Sequence, residues 1–268
     1  MSAEKPKDIR EYKTWLKEKL NVEISSREEA YYKTVTARIA TDLQASDFWM
    51  QLIESLPEHH DVYLRNTGYP LLILRERKPI IFTKPFESFL LKTYRKNILE
   101  NKNWPKEPQD GWILPSNWYS KINDAIRTLI EVKYLDGVEF MIEKIKSSCL
   151  GRGIDCEAYL EAREEGYYAA HLYIRQNFEI PRVNWDTERV DVSVELQITT
   201  QLQEVIRKLL HRYYEDKRRL SGGNEIAKWQ WDYKSEEFSA AYLGHILHYV
   251  EGMIMEIREK QRQKEKMQ

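Results

Sequence analysis

The segment from 190 to 200 constrains the fold more than any other part of the sequence. Apolar residues occupy every second position in it: Val190, Val192, Val194, Leu196 and Ile198. This period of two predicts a β-strand with one face on a hydrophobic core. The other face carries oxygen-bearing side chains and no cation: Asp191, Ser193, Glu195, Gln197 and Thr199. Such a row indicates the floor of a site for a metal ion or a hydroxyl group, with an ordinary solvated sheet face as the alternative.

The order of the predicted elements indicates an α+β fold, with a mixed β-sheet of about five strands flanked by helices. Helical periodicity dominates residues 7–57, where we expect Ser26 and Glu29 to form a capping box and Pro57 to end a helix. The predicted extended segments are 71–74, 80–82, 126–134, the surroundings of Tyr159, 167–180 and 190–199. The chain is expected to have three parts: a helical N-terminal extension at 1–65, a central domain at 66–220, and a C-terminal helical extension at 221–268 packed on it.

Composition excludes several classes of protein. The 42 lysines and arginines nearly balance the 43 aspartates and glutamates, so the net charge of −1 gives no argument for a nucleic-acid partner. The two cysteines, Cys149 and Cys156, match neither a disulfide framework nor a zinc pattern. No signal sequence is visible, and no run of about 18 apolar residues predicts a membrane span. We therefore expect a cytoplasmic protein with no membrane partner.

A cationic helix is the first candidate binding element. Lys84 precedes Pro85, which favours a helix start, and Ser88, Lys92 and Arg95 follow at helical spacing. A hydroxyl, an ammonium and a guanidinium group would then share one helix face beside free backbone N–H groups. This arrangement suits a polyphosphate. The alternative is a solvated helix face whose phenylalanines turn inward.

A pair of carboxylates is the second candidate. Asp124 precedes the extended segment 126–134, and Glu195 lies on the alternating strand. Together they could hold Mg²⁺, which usually takes one or two carboxylates plus phosphate oxygens. Asp124 has the parity of the apolar Ile126 and Ile130, so we expect it to lie beyond the buried part of its strand or at a bulge. A surface carboxylate at a strand end is the alternative.

An aromatic segment and a basic helix complete the candidates. Tyr167 and His171 alternate onto one strand face with the small Ala169 between them, which suits stacking on a nucleobase, and a purely structural role is the alternative. The helix from 202 onward presents a basic surface that could contact the phosphates of a nucleotide or RNA: Arg207, Lys208, Arg212, Lys217, Arg218 and Arg219. A solvated helix end is the alternative, because cations there favour the macrodipole. His245 and His248 are expected to be packed core histidines.

Four motifs, in this order, resemble those of the RelA/SpoT nucleotidyltransferase family. Lys84-x-x-x-Ser88-x-x-x-Lys92 is similar to the family's ATP-binding Lys-x-x-x-Ser-x-x-x-Lys helix, and Asp124-Ala-Ile-Arg-Thr-Leu-Ile is similar to its Asp-Leu-x-Gly-x-Arg-Ile strand. Gly166-Tyr-Tyr-Ala-Ala-His resembles Gly-Tyr-Arg-Ser-x-His, and Val194-Glu-Leu-Gln-Ile-Thr-Thr resembles Val-Glu-Ile-Gln-x-Arg-Thr. The resemblance spans most of the central domain. No hydrolase-type His-Asp pattern precedes it, so a single-domain small alarmone synthetase or a toxin relative is expected.

The resemblance implies transfer of the β,γ-pyrophosphate of ATP to the 3′-hydroxyl of a guanosine nucleotide, giving a (p)ppGpp-type alarmone. Asp124 and Glu195 would be the Mg²⁺ ligands, and Glu195 would also lie near the attacking hydroxyl as a base. The substrate-binding residues would be Lys84, Ser88, Lys92 and Arg95 for ATP phosphates, Tyr167 for the acceptor base, and His171 and Gln197 on the acceptor side.

The sequence departs from the family where three arginines are replaced by Leu129, Tyr168 and Thr199. Candidates to replace their charge are Arg95, Arg127 and Arg175. Two other functions therefore stay open. One is a toxin relative that pyrophosphorylates the 3′-CCA end of tRNA, with the basic helix as its clamp, and the other is a catalytically silent nucleotide-binding module.

The last helix is apolar nearly all round from 242 to 257, which predicts that this part is buried. Its partner would be the N-terminal helices, an antitoxin, or another subunit of a homo-oligomer.

Overall fold

The computed structural model has the predicted α+β architecture. It describes residues 4–73, 78–181, 186–209 and 229–267, and within them five strands form one mixed sheet. The strands are β1 Ile81–Thr83, β2 Ile126–Val132, β3 Cys156–Ala162, β4 Tyr168–Pro181 and β5 Thr187–Thr200. Their spatial order is β1, β2, β5, β4, β3, with β2 and β5 parallel and the other neighbours antiparallel. The fold class and the mixed sheet are confirmed.

Helices flank this sheet and carry both chain ends. The described helices are α1 Ile9–Leu20, α2 Ser26–Gln44, α3 Asp47–Thr67, α4 Phe86–Tyr94, α5 Trp118–Lys121, α6 Leu135–Leu150, α7 from 201 to 209, and α8 Glu236–Met267. A π-helical turn, Arg95–Leu99, extends α4, and a short 3₁₀ turn, Trp229–Trp231, precedes α8. None of the helices in the described ranges combines the length and the apolar character that a membrane span needs.

Strand β5 lies in the middle of the sheet and is covered on both faces toward its C-terminal end. The apolar face packs in the core as the period of two predicts, with Val194 and Leu196 almost fully buried. The polar face is covered as well, since Ser193, Glu195 and Thr199 are each only 5% exposed. The alternative of an ordinary solvated sheet face is therefore wrong for these three residues.

Two predictions about helix ends are wrong. The capping box of α2 is formed by Ser25 and Glu28, one residue earlier than predicted, because Ser25 is the residue with extended backbone before the first helical turn. Helix α3 continues through Pro57 to Thr67. Pro57 removes one backbone hydrogen bond, but His60 and Tyr63 beyond it are buried, and their packing sustains the helix.

A buried arginine attaches α8 to the rest of the protein. The guanidinium of Arg258 lies between the rings of Tyr69 and Tyr134, 4.1 and 4.2 Å from their centroids. It also donates to Asp136 and to the hydroxyl of Tyr63. The other side of α8 is exposed from 242 to 257, so the prediction that this part is buried nearly all round is wrong. An all-round apolar sequence does not specify which sides of a helix find a neighbour.

The segment 71–74 does not form the predicted strand in its described part. Leu72 makes one isolated bridge to Val132, and Leu74 lies outside the described residues. The helix predicted from 202 is present as α7, and its predicted continuation beyond 209 lies outside them too. The division at 65 and 220 into three parts stays a prediction.

Candidate active site

Asp124 and two lysines form the first cluster of the candidate site. Asp124 lies in the turn just before β2, beyond the regular strand. Its Oδ2 is 2.8 Å from Nζ of Lys84, and its Oδ1 is 2.9 Å from Nζ of Lys92. The backbone N–H of Lys84 donates to the carbonyl of Ala125, which ties the end of β1 to the start of β2. The spacing of the lysines around the start of α4 thus brings both onto one carboxylate.

Burial and charge act in opposite directions in this cluster. Burial alone would raise the pKa of Asp124, but the charges and hydrogen bonds of Lys84 and Lys92 outweigh it and hold that pKa below its ordinary value. Burial lowers the pKa of Lys84, and Asp124 offsets part of that effect. Asp124 is therefore an ionised carboxylate, only 9% exposed, next to two ammonium groups.

Glu195, His171 and Glu161 form the second cluster, on the polar face of the sheet. Nδ1 of His171 is 2.7 Å from Oε1 of Glu195, and its Nε2 is 2.9 Å from Oε2 of Glu161. Gln197 donates to the other oxygen of Glu195 at 3.1 Å. The ring of Tyr159 stacks on the imidazole, with centroids 5.0 Å apart. A single imidazole thus bridges two carboxylates that come from different strands.

The two carboxylates favour a charged imidazole. Burial by itself would lower the pKa of His171, but the hydrogen bonds to Glu161 and Glu195 outweigh it and raise that pKa to about 9. The hydrogen bond with His171 also lowers the pKa of Glu161 to about 2, with Arg163 contributing. At neutral pH the bridge is an imidazolium.

We expect the ring of His171 to titrate near pH 9 in the metal-free protein, above the ordinary value of 6.5. Because the raised pKa belongs to the folded state, the charged ring stabilises the fold fully below pH 6.5, and this contribution disappears as the pH rises through 9. Histidine NMR spectra recorded from about pH 5 to about pH 10 would measure the titration, and a His171→Asn variant assigns it. His59, whose pKa is lowered by burial, should titrate below 6.5. If no imidazole titrates above about pH 8, the bridge is not charged as described.

The sheet brings the two clusters to neighbouring strands. Glu195 pairs in register with Arg127 on β2 and with Tyr173 on β4, and Asp124 lies three residues before Arg127. Burial and a hydrogen bond with Tyr159 raise the pKa of Tyr173, and the negative charges of Glu195 and Asp124 add to this rise. The negative charges of both carboxylates thus raise the pKa of the same hydroxyl group, that of Tyr173.

A cleft of about 260 Å³ continues this face toward the C-terminal ends of β2 and β5. Its lining includes apolar, cationic and acidic side chains and one amide: Ile80, Phe82, Leu129, Arg127, Arg207, Lys208, Glu131, Glu204 and Gln197. Phe82 is 48% exposed although it lies on a strand. No sequence pattern assigns a role to Phe82, and Arg127 is predicted only as a replacement cation. An exposed aromatic ring beside a guanidinium group suits a nucleobase.

The remaining predicted residues lie at varied distances from these clusters. Tyr167 is half-buried, with its hydroxyl 3.4 Å from Nε2 of His171 and the guanidinium of Arg163 over its ring. Ser88 is half-buried on α4. Arg95 pairs with Glu100 at the surface, and Arg175 lies near Asp155, so the structure does not bring these two arginines to the clusters.

The basic surface predicted for the helix after 202 is described only in part. Arg207 and Lys208 line the cleft, where both pair with the buried Glu204, and Lys208 also lies 3.8 Å from Glu131. Their charge is partly neutralised by these carboxylates. The other four cations lie outside the described residues: Arg212, Lys217, Arg218 and Arg219.

The sequence matches no protein-family model and no curated protein. Solved structures do match. Small alarmone synthetase 1 from Bacillus subtilis superposes with a TM-score of 0.50 over 89% of this chain and 97% of that chain, at 15% identity. The structure of that synthetase bound to its product pppGpp gives a TM-score of 0.50 over 88% of this chain and 96% of that chain, also at 15% identity.

The chain has the small alarmone synthetase fold. Since the identity is low, this likeness defines the fold alone, and activity has to be argued from the side chains of the site.

The three residues that replace the arginines of the family motifs have different contacts in this fold. Leu129 lines the cleft. The hydroxyl of Tyr168 is 2.7 Å from Nδ1 of His245, and its ring stacks on His248 with centroids 3.7 Å apart. Thr199 donates to the carbonyl of Tyr168. Tyr168 thus packs under α8, and Thr199 bonds to the backbone of Tyr168. Both histidines are half-buried on Tyr168 rather than in the central core, so the prediction of packed core histidines is wrong.

Glu161 is the main site residue that no sequence pattern identifies. It lies on the edge strand β3 and reaches His171 because Tyr159 pairs in register with His171, which puts Glu161 one strand repeat further along. The extended segment around Tyr159 was predicted, but its register against β4 has no local signal in the sequence. Only that register identifies Glu161 as the second carboxylate.

The ligand atoms that these side chains offer are of the type that a hard divalent cation prefers. Asp124 and Glu195 supply carboxylate oxygens, the ligands that Mg²⁺ prefers, and a nucleotide would supply the rest. Lys84 and Lys92 occupy the oxygens of Asp124, so they would have to turn toward phosphate when a cation binds. No group of three or more metal-ligating side chains occurs in the described part of the chain, so these residues alone do not form a complete cage.

Proposed function

We propose that this protein is an ATP-dependent pyrophosphokinase that transfers the β,γ-pyrophosphate of ATP to the 3′-hydroxyl of a guanosine nucleotide, giving a (p)ppGpp-type alarmone. The observation that carries the proposal is the pairing of Asp124 with Lys84 and Lys92, adjacent on the sheet to the buried Glu195. Phosphoryl-type transfer needs cations on the phosphates and an acceptor for the hydroxyl proton, and this face of the sheet supplies both. A cytoplasmic location, where ATP and guanosine nucleotides occur, belongs to the same proposal.

Each side chain takes one part of the reaction. Lys84 and Lys92 bind the phosphates of ATP and, with Ser88, orient the β-phosphorus. The oxygen of the 3′-hydroxyl attacks the β-phosphorus while Glu195 accepts the proton of that hydroxyl. AMP is the leaving group. His171 and Gln197 fix both oxygens of Glu195, so the carboxylate is already oriented when the acceptor arrives.

The nucleobases of the two substrates require separate binding surfaces. Tyr167 stacks the base of the acceptor, next to His171. The cleft beside Gln197, with Phe82 and Arg127 on its wall, takes the other nucleotide. Arg127 contributes the positive charge that Leu129 does not, since it lies on β2 next to Glu195 in the sheet register.

Mg²⁺ belongs to the proposal as a cofactor. Asp124 and Glu195 would hold it, and when bound it would neutralise charge on the phosphate oxygens.

The test is incubation of the purified protein with γ-³²P-ATP and Mg²⁺, with GTP, GDP, ATP and bulk tRNA offered as separate acceptors. We expect label on GTP or GDP, together with release of AMP in equal amount. AMP release distinguishes pyrophosphate transfer from transfer of a single phosphate, which would release ADP.

Other outcomes would contradict the proposal in different ways. Label on tRNA would show a tRNA-modifying enzyme, whose substrate binding should weaken steeply with salt. Nucleotide binding with no transfer to any acceptor would show a silent binding module.

A further inference from the structure

The two cysteines of the chain form a pair that the proposed reaction does not use. Cys149 lies in the last turn of α6 and is fully buried, and Cys156 is the partly exposed first residue of β3. Cys149 belongs to the hydrophobic core, and Cys156 packs against that core. The two thiols share a hydrogen bond. A buried thiol and an accessible thiol are thus in direct contact.

The fold itself holds the two thiols together. The backbone carbonyl of Cys149 accepts a hydrogen bond of 2.9 Å from the N–H of Ile154, so the chain reverses direction directly after α6. Cys156 then pairs in register with Ile174 on β4, inside the sheet. The helix therefore fixes the position of one cysteine, and the sheet fixes the position of the other.

The two thiols differ in their tendency to ionise. Their hydrogen bond lowers the pKa of Cys156 and raises the pKa of Cys149, and it is the largest influence on both. Lys146 also lowers the pKa of Cys156, whereas burial, Asp155 and Glu157 oppose part of this effect. The C-terminal end of α6 disfavours a negative charge on Cys149 as well. Because the thiolate is the nucleophile, Cys156 is the reactive member of the pair.

We propose that Cys149 and Cys156 form a redox-active dithiol, which a low-molecular-weight disulfide such as oxidised glutathione converts into an intramolecular disulfide. The thiolate of Cys156 attacks one sulfur of the oxidant, whose S–S bond breaks and releases the first glutathione. Cys149 then gives up its proton and attacks the sulfur of Cys156, which releases the second glutathione. The two cysteines lose two electrons and two protons, and the two glutathione thiols gain them.

A reversible disulfide of this kind is compatible with a reducing compartment. Disulfides in such compartments are usually transient and respond to the redox state. The structure describes the reduced form, in which both cysteines are free. The disulfide would join α6 to the strand that carries Glu161. Its formation requires no nucleotide, so a failure of the proposed pyrophosphate transfer would leave this proposal standing.

Mass spectrometry of the full chain, treated with oxidised glutathione at about pH 7.5 and then alkylated, tests the proposal. We expect a single chain lighter by about 2 Da, with neither cysteine alkylated. Trypsin cleaves after Lys146, Arg152 and Arg163, so the peptides 147–152 and 153–163 should stay joined until a reductant separates them. The adduct of glutathione with the intact protein should stay below about a tenth of the total, because the second thiol is already in place.

Two variants test the order of the steps. Cys149→Ala should stop the reaction after the first step and leave a stable glutathione adduct on Cys156, heavier by about 305 Da. Cys156→Ala should take up no glutathione in the same time, because the remaining thiol is fully buried. Far-UV circular dichroism checks that both variants fold. A lasting adduct on the original protein would overturn the proposal, and so would a disulfide between two chains, no reaction at all, or equal uptake by Cys156→Ala.

Discussion

The substitution Glu195→Gln is expected to lower the rate of pyrophosphate transfer about 1,000-fold, within the range of a lost general base. Glutamine keeps the size of the side chain and can still hydrogen-bond to Gln197, but it cannot accept the proton of the attacking hydroxyl. Glu195 is 5% exposed and receives hydrogen bonds on both oxygens, so no water is expected to replace it readily. The rate at saturating ATP and acceptor measures the effect.

Glu161→Gln is the matched control for this loss. Glu161 contacts the other nitrogen of the same imidazole, and the amide oxygen of glutamine can still accept from Nε2 of His171. We expect a loss of less than about tenfold, because the proton acceptor itself remains in place. Equal losses in the two variants would contradict a special role for Glu195. Nucleotide affinity, measured by calorimetry without Mg²⁺, should stay within about threefold in both variants, which separates lost chemistry from lost nucleotide binding.

Local patterns in the sequence predict most of the sheet. The strict alternation in β5 and the β-branched run in β2 each specify a strand and the side that faces the core, since both depend on neighbouring residues alone. The same alternation predicts that Glu195 and Gln197 share a face, and they do. Lys84 and Lys92 could be grouped from helical spacing, whereas no local pattern indicates that both contact Asp124.

Properties that depend on distant contacts could not be predicted. Pro57 is a helix breaker by local rules, and only the burial of His60 and Tyr63 explains why α3 continues. The pairing of Glu161 with His171 depends on the register between β3 and β4. The exposed side of α8 depends on which neighbours the helix meets, and composition does not contain this information.

The close contact between α8 and the turn before β4 gives the largest stability effect that we expect. A Cβ added at Gly244 would overlap the carbonyl oxygen of Gly166 and lie 3.0 Å from its Cα. Both atoms are backbone, so no side chain can turn away to make room. Gly166 also has a φ of +77°, a conformation that glycine adopts without strain. The two glycines thus allow a helix and a turn to touch backbone to backbone.

Gly244→Ala is therefore expected to reduce the free energy of unfolding by about 2–3 kcal/mol, as in other overpacked sites. To relieve the overlap, α8 must move away from the turn, which weakens the hydrogen bond from Tyr168 to His245 and the one from His245 to the carbonyl of Glu164. Urea unfolding, followed by circular dichroism at a fixed low protein concentration, measures the change.

The same substitution eight residues further along the same helix provides the control. Gly252 lies on α8 with no atom within 4 Å of an added Cβ. The higher helix propensity of alanine is therefore the only effect that we expect from Gly252→Ala. It should stabilise the protein by up to about 1 kcal/mol. Two glycine-to-alanine changes in one helix would then have opposite signs. If Gly244→Ala raises the free energy of unfolding as Gly252→Ala should, α8 does not pack on the turn before Tyr167. In that case α8 does not hold Tyr167 in place on the acceptor side of the proposed site.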